Sequence, residues 1–131
     1  MVTANAERRF SNATSAVTAA RHYVADILRT WGIATFSAEL AVSELATNAV
    51  SHASTGFTVR LQIDDATVRV EVADHHPALP AFDTSELASE HGRGLLLVDA
   101  VTVRWGIEPR RGGKAIWFIV PVSPDDDPQS S

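Results

Sequence analysis

Residues 42–53 read Val42-Ser43-Glu44-Leu45-Ala46-Thr47-Asn48-Ala49-Val50-Ser51-His52-Ala53, and their spacing organises the rest of the chain. Wound at about 100° per residue, they place Glu44, Asn48 and His52 on one stripe flanked by Ser43, Thr47 and Ser51. Val42, Leu45, Ala46, Ala49 and Val50 fall on the opposite side, so the segment predicts an amphipathic helix. Its polar side is unusual. Helix faces that only meet water favour Lys, Arg, Glu and Gln, whereas Asn, Thr, Ser and His cost more and compete for backbone hydrogen bonds. Two readings stand at this point: a solvated face of odd composition, or a binding face.

The bulk numbers limit what such a face can serve. A chain of 131 residues can bury one core without disulfides or metal, so one domain over 1–122 is expected, followed by an acidic tail over 123–131. No cysteine is present, which suits a reducing compartment, and no run approaches the roughly 20 apolar residues of a membrane span. The first residues lack the basic and apolar regions of a secretion signal, so the cytoplasm is the expected location. A net charge of −5 with scattered arginines and a single lysine, Lys114, argues against direct nucleic-acid binding.

Before the central helix, Glu7-Arg8-Arg9-Phe10 predicts a short strand. A first helix then runs to about Trp31, with Val17, Ala20, Val24, Ile27, Leu28 and Trp31 at helical spacing and Gly32 as its stop. Ser11, Asn12 or Thr14 can cap it, and His22 lies off the apolar stripe. Thr35 or Ser37 can cap the second helix, and Glu39 in its first turn suits the dipole.

After Gly56 the period becomes two. Phe57, Val59, Leu61 and Ile63 alternate with polar residues, Asp64-Asp65-Ala66 turns the chain, and Val68, Val70 and Val72 follow on the return. The next inward position is Asp74. An unpaired buried charge is costly, so Asp74 either ends the strand in water, the commoner arrangement, or has a hydrogen-bonding partner in a pocket. Residues 75–91 are loop-like, and their histidines lack the spacing of a zinc site. Gly92-Arg93-Gly94 then opens an apolar helix from Leu95, which reads either as an anion-binding turn or as ordinary close packing. Final strands are expected over Val101–Ile107 and Lys114–Val120, joined by residues 108–113, with Trp117 and Ile119 opposite Ile116, Phe118 and Val120, as in a strand covered on both sides.

With these pieces assembled, the chain from about Glu7 to Pro121 resembles the Bergerat-fold ATP-binding domain of histidine kinases, gyrase-type ATPases and Hsp90-type chaperones. It is most similar to the stand-alone serine/threonine kinases that act as anti-sigma factors. The most specific match is Glu44-Leu45-x-x-Asn48-Ala49-x-x-His52. The resemblance implies a two-layer α/β (α+β) sandwich, its sheet mixed and mostly antiparallel, with three helices on one face. It implies ATP and Mg²⁺ as cofactors, with Asn48 as the metal ligand and Glu44 as the catalytic general base or water-positioning group. Thr47 and His52 would lie along the nucleotide, Asp74 would accept the adenine amino group, and Gly92, Arg93 and Gly94 would cradle phosphates. A sigma factor and an antagonist protein are the implied partners, and the sequence leaves a homodimer open. The chain departs from the family at Asp74-His75-His76-Pro77, where D-x-G-x-G is usual.

The leading functional expectation is therefore an anti-sigma kinase that switches partners. The alternative is a regulatory module of the same fold that binds nucleotide or protein without chemistry. A histidine-kinase fragment is disfavoured because only one helix precedes the Glu44 helix, and a hydrolase because no G-x-S-x-G turn is present.

Overall fold

The structure, a computed structural model, describes residues 4–53, 55–75 and 95–122, with the backbone alone at 52 and 53. Strand β1 (Ala4–Phe10) leads into helices α1 (Ser15–Thr30) and α2 (Phe36–Asn48), and a π-helical turn, Ala49–Ala53, extends α2. Strands β2 (Phe57–Ile63) and β3 (Thr67–Asp74) form a hairpin. Residues 95–101 are helical and are termed α3; β4 (Arg104–Arg110) and β5 (Gly113–Pro121) complete the sheet. Its order is β1-β2-β3-β5-β4, and every described pair is antiparallel. This is the two-layer α+β arrangement of the Bergerat ATPase fold, with the helices gathered on one face. Among the described residues no helix is long and apolar enough to cross a membrane.

Period-two alternation explains the sheet's inner face. Val59, Leu61, Val68, Val70 and Phe118 are fully buried there, opposite Val24 and Leu28 of α1, Val42 and Leu45 of α2, and Val98 of α3. Each such side chain contributes about 1.5–3 kcal/mol through removal from water. Phe10 stacks on Phe57 at 5.4 Å and meets the edge of Tyr23 at 5.9 Å, fastening β1 and α1 to the core. Helix α1 stops where Gly32 takes φ +74°, a conformation that costs glycine nothing. At the hairpin, the Asp64 carboxylate accepts the backbone N–H groups of Ala66 and Thr67 at 2.8 Å, which hold its pKa below the usual carboxylate range.

Strand β1 starts at Ala4, three residues before the expected Glu7, and the boundaries of β4 differ at both ends. Val101, Val103, Trp105 and Ile107 alternate as a strand would, but Val101 also lies three residues after Val98, and the helical period prevails. The Thr102 hydroxyl donates to the Val98 carbonyl at 2.7 Å, and strand pairing begins only at Arg104. At the other end β4 runs through Pro109 to Arg110, shortening the expected six-residue connection to Arg111-Gly112. Proline is tolerated because β4 is an edge strand.

The face of the sheet away from the helices is covered by charge. Glu71 is 2% exposed beneath Arg69 and Arg110, which also pair with Glu108, while the Arg69 guanidinium lies 5.2 Å from the Trp117 ring centroid. Cross-strand side chains thus supply the second cover expected for β5. The tail after Val122 lies outside the described residues.

Candidate functional site

Helix α2 presents Glu44 and Asn48 one turn apart, but their surroundings differ. Glu44 is half-buried and lines an open groove of about 520 Å³ between α1 and α2, with Arg21, His22, Arg29 and Ser43 on its walls. Asn48 is only 5% exposed, and its Nδ2 has no hydrogen-bond partner among the described residues. Leaving such a group unpaired costs about 1–3 kcal/mol, which makes it a place where a ligand can supply what the protein does not.

The other polar residues of the helix have local partners. The Ser43 hydroxyl donates to the Glu39 carbonyl at 2.8 Å, and the Thr47 hydroxyl donates to the Ser43 carbonyl at 2.8 Å. Part of the odd composition is thereby explained, since short hydroxyl side chains remain in a helix by bonding back to the preceding turn. Thr47 is exposed on the outer flank of Asn48. After Asn48 the backbone passes into i→i+5 pairing, which does not carry the α-helical stripe on to position 52. The side chain of His52 lies outside the described residues, as do Gly92, Arg93 and Gly94 and the residues at which the first glycine box would fall.

Asp74 settles the choice left by the sequence. It does not end β3 in water: it is 6% exposed on the inner face and has a partner. That partner is Lys114, opposite it on β5, whose ammonium bonds to Asp74 Oδ2 and whose backbone N–H donates to Oδ1 at 3.3 Å. Lys114 is itself 7% exposed. Gly113 permits the approach, because a Cβ there would stand 2.3 Å from the Asp74 carbonyl oxygen. The sequence reading missed this contact. Its signal was the chain's one lysine at the first inward position of the last strand, legible only once strand order is known.

Beyond Asp74 the chain is tied back. The His75 N–H donates to the Thr55 hydroxyl at 3.3 Å, and the His75 ring bonds the Thr58 hydroxyl through Nε2 at 3.2 Å. Asp74 continues the inner face of β3, and α2 with its π-turn packs over that strand from the helical layer. Among the described residues no cluster of three or more His, Cys, Asp or Glu side chains could hold a metal by itself. A cation here would depend on Asn48 together with ligand oxygens. The unpaired Nδ2 is a donor suited to an oxygen of such a ligand, and the amide oxygen of the same side chain is the hard neutral group that could meet the cation.

This geometry can be set beside known proteins. An uncharacterised protein of Streptomyces coelicolor, SCO4941, is 35% identical over 80 residues, covering 57% of this chain and 76% of the relative. The model of the histidine kinase-like ATPase domain matches residues 10–120, which takes in every described helix, strands β2 to β4 and all of β5 but Pro121. The chain belongs to the family of histidine kinase-like ATPase domains.

Proposed function

We propose that the protein is an ATP- and Mg²⁺-dependent serine/threonine kinase of anti-sigma type, acting in the cytoplasm and exchanging a sigma factor for an antagonist protein. The observation that carries this reading is Asn48, a buried amide with an unpaired end, one helical turn after an accessible carboxylate at Glu44. Membership of an ATPase-domain family supports the nucleotide.

Each residue then has a role. The Asn48 amide oxygen would ligate the cation while its Nδ2 donates to a phosphate oxygen; Mg²⁺, when bound, neutralises charge on the phosphates. Asp74 would accept the purine amino group, and Gly92-Arg93-Gly94 would donate to phosphate oxygens. Glu44 would take the proton of a serine or threonine hydroxyl as its oxygen bonds to the γ-phosphorus and the bond to the bridging oxygen breaks, releasing ADP. Incubation with labelled ATP and the antagonist should yield a phosphoserine or phosphothreonine that is lost in Glu44→Ala. Failure of wild-type protein to transfer phosphate to any such partner rejects the catalytic part.

A second reading, a non-catalytic regulatory module, is favoured by His75-His76-Pro77 in place of glycines. Calorimetry with Mg-ATP separates its protein-binding form, which predicts no heat and no effect of Asp74→Asn.

A further inference from the structure

We propose that Lys114 is a positioning residue for the base of the nucleotide: it fixes the Asp74 carboxylate in one orientation, as an acceptor for a purine that carries an amino group at its 6-position. The proposal rests on the nucleotide-binding reading above and adds to it a residue that selects the ligand.

Three observations carry it. The first is bidentate contact from one residue, with the Lys114 backbone N–H donating to Oδ1 at 3.3 Å and the ammonium bonding to Oδ2. Two donors arriving from β5, one at each oxygen, set the plane of the carboxylate. The second is rigidity. Gly113 brings β5 so close to the Asp74 backbone that a Cβ would stand 2.3 Å from its carbonyl oxygen, and the facing residues are 6% and 7% exposed.

The third is the company the pair keeps. The preceding inward pairs of the same two strands are Val68 with Val120, Val70 with Phe118, and Val72 with Ile116, all apolar and buried. A buried ion pair is seldom more stabilising than well-packed apolar residues of similar volume, so packing alone gives no reason for charge in the fourth pair. Selection of a ligand does. A fixed carboxylate accepts from the 6-amino group of adenine, whereas the 6-carbonyl of hypoxanthine would turn oxygen lone pairs toward it. Without the lysine the donor that fixes Oδ2 is gone, the plane of the carboxylate can turn, and the discrimination between the two edges weakens.

The test is binding of ATP and of inosine triphosphate, which differ at position 6, to wild type, Lys114→Arg and Lys114→Met. Expected is a preference for ATP of at least about tenfold in wild type, retained in Lys114→Arg and reduced to about threefold or less in Lys114→Met. A role confined to stability would lower the unfolding midpoint of Lys114→Met and leave the ratio unchanged, which overturns the proposal while ATP binding stands. If wild type binds neither nucleotide, the nucleotide reading falls and this proposal with it. Because the chain has one lysine, a wild-type measurement covers poor folding of the variant. In protein labelled with ¹³C-lysine the single side-chain Cε signal should shift on saturation with ATP, and an unmoved signal at saturation overturns the proposal.

Discussion

Glu71 of β3 and Arg110 of β4 meet across the intervening strand β5 through two parallel N–H···O bonds of 2.8 Å each. The strands are not neighbours, so this fork binds three strands on the face that has no helices. Arg69 adds a bond of 2.8 Å to the same carboxylate. Glu71→Gln keeps the shape and removes the charge, and it should lower stability by about 1.5–3 kcal/mol. Arg69 and Arg110, each about a third exposed, can return to water, which keeps the loss below that of a fully buried pair. Urea unfolding measures it, and a change under 0.5 kcal/mol would show the fork to be ornamental.

The same carboxylate predicts acid sensitivity. Burial pushes the Glu71 pKa up, but the hydrogen bonds and charges of Arg110 and Arg69 outweigh it and hold the pKa below the usual carboxylate range. The folded state therefore binds this proton more weakly than the unfolded chain, whose glutamates titrate near about 4.3. The contribution is complete above that pH and is lost as pH falls through the lower folded value. Urea midpoints from pH 7 downward should fall more steeply below about pH 4.3 in wild type than in Glu71→Gln. Parallel curves would refute the assignment.

Asn48 should trade stability against ligand. Replacing its unpaired, buried amide with an apolar group of similar shape, as in Asn48→Leu, removes an unsatisfied donor and should raise the stability of the nucleotide-free protein by about 1 kcal/mol. Calorimetry should find no Mg-ATP binding to the same variant. Weaker folding, or retained binding, would contradict the role given to Asn48.

Gly113→Ala tests the close approach at the strand ends. Its Cβ would meet a backbone oxygen, which cannot swing aside as a side-chain end can, so a cost of about 1–3 kcal/mol is expected. Displacement of Asp74 should also weaken ATP binding by tenfold or more at temperatures where the variant remains folded. Unchanged affinity in a folded variant would detach Asp74 from the purine.

Much of this architecture is legible in the amino-acid sequence. Alternation at Phe57–Ile63 and Val68–Val72 located the central hairpin, and the spacing of Val17, Val24 and Leu28 located α1, because local period and burial agree there. Agreement failed where one residue satisfied two periods, as at Val101, and where edge position licensed Pro109 in a strand. Within the candidate site, Glu44, Asn48 and Asp74 were marked by chemistry out of keeping with their positions. The lysine opposite Asp74 was not, since that contact spans 40 residues and depends on β5 inserting between β3 and β4. Likewise Thr47 and Ser43 drew notice for their hydroxyls, while the carbonyls those hydroxyls serve lie within their own helix.

Pro109 also bears on how the sheet can grow. Lacking an N–H, it leaves the outer rim of β4 short of a donor, and Arg104, Glu108 and Arg110 beside it would each have to shed water for another strand to lie alongside. Backbone-to-backbone recruitment of a visiting peptide is accordingly discouraged on that flank, and the opposite margin along Ala4–Phe10 is the more receptive one.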